Sequence, residues 1–212
     1  NASGLIMNDG RFVADVIGDY MISASLGTSS ASRPLKVVGR GVEREVLKVG
    51  KGVVSDNHTS DFWVFEGVDG RDYAVTGTWG ADGTSFFWDV TDPANIKKID
   101  SVKVDARTVN DVKVSQDGRI SVIGREGASD RKNGIIILDV SNPYDVKILS
   151  EYTKNLTGGV HNVFIDNDHV YALSGSQRYF VINIEDPKNP VEVGMFEVGK
   201  EGQSIHDVWI ED

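Results

Sequence analysis

The stretches "FFWDVTDPANIKKIDSV" (Phe86–Val102), "IIILDVSNPYDVKILSEY" (Ile135–Tyr152) and "YFVINIEDPKNPVEVGMF" (Tyr179–Phe196) are three versions of one phrase. Each has an apolar run, then Asp or Asn, an apolar residue, a polar residue and Asp-Pro or Asn-Pro, before a second apolar run begins. Aligned on Pro93, Pro143 and Pro187, the phrase recurs after 50 and then 44 residues. Val, Ile, Phe, Tyr and Trp are the residues of strands. Proline at the second position of a turn has its φ already set, and the Asp or Asn before it can cap the turn with its side chain. The phrase therefore reads as strand, turn, strand.

A second phrase recurs in step with the first. "HTSDFWVF" (His58–Phe65), "TVNDVKVS" (Thr108–Ser115), "GVHNVFID" (Gly159–Asp166) and "SIHDVWIED" (Ser204–Asp212) align on Asp61, Asp111, Asn162 and Asp207. The first three of these stand 32, 32 and 25 residues before the next Asp/Asn-Pro proline. Between the two phrases lie "RDYAVTGTW", "GRISVIGRE" and "DHVYALSGS". Each is entered through a short hairpin turn, "VDGRD", "SQDGR" or "DNDHV", whose Gly or Asn accepts a positive φ. No segment shows sustained helical periodicity. Four strands per unit, repeated every 44 to 50 residues, predict an all-β chain built as a β-propeller.

The expected organisation is a divergent N-terminal β segment over 1–54, read as a degenerate blade, then blades over 55–105, 106–156 and 157–202. Residues 203–212 read as the first strand of a further blade. Closed propellers have at least about four blades, so an incomplete ring or a fragment of a longer chain is expected. The phrases "WDVTDPAN", "LDVSNPYD" and "NIEDPKNP" resemble the LVIVD-repeat family of bacterial β-propeller proteins. With the missing initiator Met, that resemblance implies a secreted, cell-surface or periplasmic binding or scaffold module. The His-Asp-apolar phrases followed by Asp-Pro turns also resemble the selenium-binding protein family, whose members include a copper-dependent methanethiol oxidase. That second resemblance implies a site built on inner-strand histidines, which His161 and His206 match.

Composition narrows the partners. Of the 212 residues 40% are hydrophobic and 25% charged, with a net charge of −10. The acidic balance and the lack of basic clusters argue against nucleic acid and favour a soluble surface and cationic ligands, with the partner, protein or small molecule, left open. No run approaches the ~18 apolar residues of a spanning helix. With no cysteine, disulfides and thiolate chemistry are excluded.

In a propeller the first strand of each blade lies nearest the axis, so Asp61, Asp111, Asn162 and Asp207 occupy equivalent places there. Ser60, Asn110, His161 and His206 form a second series, one residue earlier. The period of two predicts that neighbours in the two series face opposite ways. The Asp/Asn series reads first as structural, accepting backbone N–H groups between blades, with Asp61, Asn110, Asp111 and Asp207 also candidates for ligand contact. His58, His161 and His206 are candidates for binding copper or zinc near the channel mouth, although no tight ligand spacing supports them and no cofactor is required. Arg125, in "GREGASDRKNG", reads as a member of a solvated ion cluster or a ligand-contacting rim. Trp79 reads as a turn residue open to a binding surface, while Trp63, Trp88 and Trp209 read as core. Three functions follow as expectations: a non-catalytic binding module, a metal-dependent oxidase, or an assembly formed through open edge strands.

Overall fold

Each sequence phrase becomes strands of an antiparallel sheet in the computed structural model, which describes residues 4–14, 16–39, 41, 44–54, 57–80, 83–199 and 202–210. Ser55, where the first blade was expected to begin, and Glu211–Asp212 lie outside the described residues. Contacts divide the chain into two compact units, Asn1–Leu47 and Lys48–Asp212. In the first, β1 (Gly4–Ile6) pairs with β2 (Phe12–Ala14), and β3 (Gly18–Leu26) pairs separately with β4 (Ser29–Val37). These are two two-stranded hairpins, not one four-stranded sheet.

The second unit holds three four-stranded antiparallel sheets in simple up-and-down order. The first is β5 (His58–Glu66), β6 (Asp72–Trp79), β7 (Thr84–Asp89) and β8 (Lys97–Lys103). The second is β9 (Val112–Val114), β10 (Ile120–Arg125), β11 (Gly134–Asp139) and β12 (Lys147–Tyr152). The third is β13 (Val160–Asp166), β14 (His169–Ser174), β15 (Arg178–Asn183) and β16 (Val191–Glu197). Sequential four-stranded sheets packed face to face are the blades of a β-propeller. Among the described residues there is no helix, and so none long and apolar enough to cross a membrane.

The turns form for the reasons their residues suggest. Gly70, Gly118 and Asn167 take positive φ (74°, 69° and 50°) at the hairpins joining the first two strands of each blade. In the Asp-Pro phrases both acidic or amide side chains cap. Asp89 Oδ1 accepts the Thr91 N–H at 3.1 Å and Asp92 Oδ1 that of Ala94 at 3.0 Å. Asp139 with Ser141, Asn142 with Tyr144, Asn183 with Glu185 and Asp186 with Lys188 repeat the pattern at 2.9–3.2 Å. A backbone bond across each proline closes the turn, as from Asn95 N–H to Asp92 O at 2.9 Å.

The core lies between blades. Phe65, Tyr73, Val75 and Phe87 of the first blade pack against Ile123, Ile136 and Leu138 of the second. The alternate residues of that second blade, Val122, Ile135 and Ile137, turn the other way and pack on Val163, Val170, Phe180 and Ile182 of the third. This explains why "IIIL" is continuously apolar: the middle blade is covered on both faces and has no side left for polar residues. Burial of a side chain in such a seam contributes its transfer energy and leaves a cavity when it is trimmed. Ile136→Ala, at a fully buried position, is expected to cost about 2–5 kcal/mol in urea unfolding. Val193→Ala, on an exposed position of β16, is expected to stay within about 0.5 kcal/mol of the unaltered protein.

Candidate functional site

The first strands, β5, β9 and β13, run beside one another, and residues 203–210 form a fourth rank next to β13. Residues 203–210 were expected to be a strand. They form no ladder with a described strand, and the Ile205 N–H bonds to Ser176 O at 2.8 Å. A strand needs a partner along its length, and one bond does not make a ladder.

The expected alternation between the two inner series does not hold. Ser60 Oγ donates to Val109 O at 2.5 Å, and Asp61 Oδ2 accepts from Val112 N–H at 3.4 Å and from Lys113 Nζ at 3.0 Å. Both neighbours thus reach the second blade. The same happens one blade on: Asn110 Nδ2 donates to His161 O at 2.9 Å, while Asp111 Oδ2 accepts the Val163 N–H at 2.7 Å. β-Bulges are the cause. Pairing of β5 with β6 jumps from Thr59 to Phe62, Thr108 and Val112 of the second blade lie opposite Glu126 and Ile123, and pairing of β13 with β14 jumps from Val160 to Val163. An extra residue resets the alternation and turns two successive side chains the same way. Gly77 and Gly124 are bare at these seams because a Cβ there would lie 2.3 Å from Val109 O and 2.8 Å from Val160 O.

Asp111 is the most heavily engaged of the series. Besides the Val163 N–H, its carboxylate accepts from Asn162 Nδ2 at 2.7 Å, from its neighbour Val112 N–H at 2.9 Å, and from Lys113 Nζ. Lys113 lies between Asp61 and Asp111 with its side chain 12% exposed. Burial, reinforced by the adjacent Asp61, pushes the Asp111 carboxyl up to about 7, against the pull of Lys113 and the Val163 N–H. Burial acts in the same sense on Asp61, but its contact with Asp111 and the Lys113 ammonium hold that carboxyl below the usual range. The pair titrates as a unit.

At the next residue back, two histidines meet. His161 Nε2 and His206 Nε2 are 3.2 Å apart, and Asn110 Nδ2 lies 2.5 Å from His161 Nδ1. Glu126 Oε1 lies 3.8 Å from His161 Nδ1. Burial pushes the Glu126 carboxyl up, opposed by His161 and Arg107. His58 is not gathered with this pair; it packs edge-on against Trp79 at 6.2 Å. Among the described residues no group of three or more His, Asp or Glu is placed to hold a metal ion. The structure does not bring His58, His161 and His206 together as one donor set among the described residues.

Two other candidates lie elsewhere. Trp79 is the last residue of β6 rather than part of a turn, and is 57% exposed. Arg125 is a member of an ion cluster as expected, but it is buried rather than solvated: its N–H groups reach Asp105 O, Asp105 Oδ2, Lys132 O, Asp130 Oδ1 and Glu151 Oε2 at 2.8–3.4 Å. It ties down the loop that carries it.

The inner strands and residues 203–210 border an open cavity of about 430 Å³ lined by Asp61, Trp63, Lys113, Phe164, Asp207 and Trp209, among others. Trp63, Lys113, Phe164 and Trp209 are equivalent, each two residues beyond the aligned Asp or Asn. Trp63 meets Phe164 edge-to-face at 6.4 Å, Phe164 meets Trp209 at 5.0 Å, and Lys113 Nζ stands 5.1 Å over the Trp63 ring. Trp63 and Trp209 were expected in the core; Trp209 is instead 64% exposed. Lys113 and Phe164 were missed as lining residues. The repeat itself held the signal, since that aligned position reads Trp, Lys, Phe, Trp.

A four-stranded-blade propeller with an axial cavity is the class that this fold defines. The chain is similar to the X-ray structure of a hypothetical selenium-binding protein from Sulfolobus tokodaii, with a TM-score of 0.53 and 16% identity. The match covers 66% of this chain and 39% of that one, so the chain spans only about two fifths of that protein's length. At this identity the likeness establishes the fold alone. No protein-family model and no curated protein matches the sequence.

Because Asp111 satisfies backbone and side-chain donors of the third blade, its loss leaves Val163 N–H and Asn162 without their acceptor. Asp111→Ala is expected to cost about 3–5 kcal/mol in denaturant unfolding, whereas Asp207→Ala, at an exposed position, is expected to cost less than about 1 kcal/mol.

Proposed function

We propose that this chain is a ligand-binding β-propeller module whose site is the axial cavity at the inner strands. The observation that carries this reading is a division of labour within the repeat. The aligned position reads Asp, Asp, Asn, Asp; at the first two, those carboxylates receive N–H groups from the following blade. Two residues further on, the repeat changes to Trp, Lys, Phe and Trp, and there the cavity lies. A structural position keeps one chemistry around the ring, while a recognition surface needs different groups on different sides. The volume of about 430 Å³ is within the roughly 300–1,000 Å³ of small-molecule pockets, and aromatic walls with a few placed charges are their usual lining. The secreted or cell-surface setting rests on the Asp-Pro phrases and their likeness to the LVIVD-repeat propellers.

The test is an NMR titration that follows the indole N–H signals of Trp63 and Trp209, assigned through Trp63→Phe and Trp209→Phe. Three probes of one shape and different charge serve: choline, 3,3-dimethylbutan-1-ol and 3,3-dimethylbutanoate. At least one is expected to shift both signals saturably. The same probe should bind Trp209→Ala at least tenfold more weakly. Indole signals unmoved by all three would overturn the assignment of the cavity as a ligand site.

A further inference from the structure

Resting on that assignment, we propose that the axial cavity recognises an organic cation, an alkylated ammonium group held against the aromatic walls. The rings set the geometry. Trp63 and Phe164 stand at 88° to one another, and Phe164 and Trp209 at 60°. Rings meeting at such steep angles form a corner that surrounds a compact rounded group, in contrast to a single flat platform. The faces of tryptophan and phenylalanine are electron-rich, and a cation within about 6 Å of a ring centroid is attracted to them. Trp63 already demonstrates this use, because the Lys113 ammonium stands 5.1 Å from its centroid.

Charge points the same way. Asp61 and Asp207 line the cavity with Lys113, whose ammonium bonds to Asp61 and Asp111. Asp207 is outside that cluster: its carboxylate accepts the N–H of Val208 at 2.7 Å, and among the described residues no cation pairs with it. One carboxylate on the cavity wall is thus left to face a ligand. An anion would meet this excess of carboxylates directly. A neutral ligand would leave Asp207 without a counter-charge as the cavity is desolvated. A cation gains from the rings and the carboxylate together.

The experiment is the isostere comparison on the full chain, read as dissociation constants at low and at moderate salt. Choline is expected to bind at least tenfold more tightly than 3,3-dimethylbutan-1-ol, and 3,3-dimethylbutanoate more weakly still. Asp207→Asn is expected to weaken choline at least fivefold and leave the neutral alcohol unchanged, with an otherwise unaltered amide spectrum as the check on folding. Equal binding of the alcohol and choline, or tighter binding of the carboxylate, would overturn the cation inference while leaving the cavity as a ligand site. Loss of choline discrimination in Trp209→Leu with the alcohol unaffected would support it. Failure of all three probes to bind would overturn both readings.

Discussion

The bond from Val163 N–H to the Asp111 carboxylate is the contact on which the rest of this unit depends. A β-bulge at the entrance to β13 takes His161 and Asn162 out of register with β14. The backbone beside the bulge then needs an acceptor from outside its own sheet, because a buried N–H without one costs as much as a lost hydrogen bond. Asp111 of the preceding blade supplies it at 2.7 Å. The carboxylate, in turn, is tolerable at this depth because Asn162, Val112 and Lys113 also donate to it. Bulge and aspartate each remove the cost of the other, and together they fix how one blade sits on the next.

That arrangement has a consequence for the axis. Bulges turn both members of the first two inner pairs toward the following blade, so Ser60 and Asn110 are spent on bonds to Val109 O and His161 O. Polar residues at the mouth are therefore largely used in holding the inner strands together. The histidines share this role in part, since His161 receives Asn110 and meets His206. Beyond the bulge the alternation resumes, and the next inward-facing residues, Trp63, Lys113, Phe164 and Trp209, line the cavity. The seam thus determines which residues line the cavity.

Much of the fold was legible in the sequence because it depends on local chemistry. Asp-Pro turns, positive-φ Gly and Asn, and apolar strand composition act within a few residues, and the repeat spacing carried them to the blade level. The bulges were not legible, since nothing in "HTSDFWVF" distinguishes a regular strand from one with an extra residue at Ser60–Asp61. Their cause lies in the neighbouring blade. Arg125 was misplaced for a similar reason. Its acceptors include Asp105 and Glu151, far enough along the chain that a loop of charged residues gave no hint of a buried guanidinium. His58 carries the same residue type as His161 and His206, yet it stands beside Trp79, because its position three residues before Asp61 places it on a different part of the strand.

The most direct measurement of this account is hydrogen exchange at the Val163 amide in the unaltered protein. Val163 N–H is bonded to a side chain of another blade, not to a ladder partner. If the seam holds the blades together, this amide opens only when they separate, and its protection should equal that of core amides such as Ile136 and Ile182. Exchange at the rate of an exposed loop amide, with Ile136 still protected, would contradict the account and leave the Asp111 contact without a part in holding the propeller together.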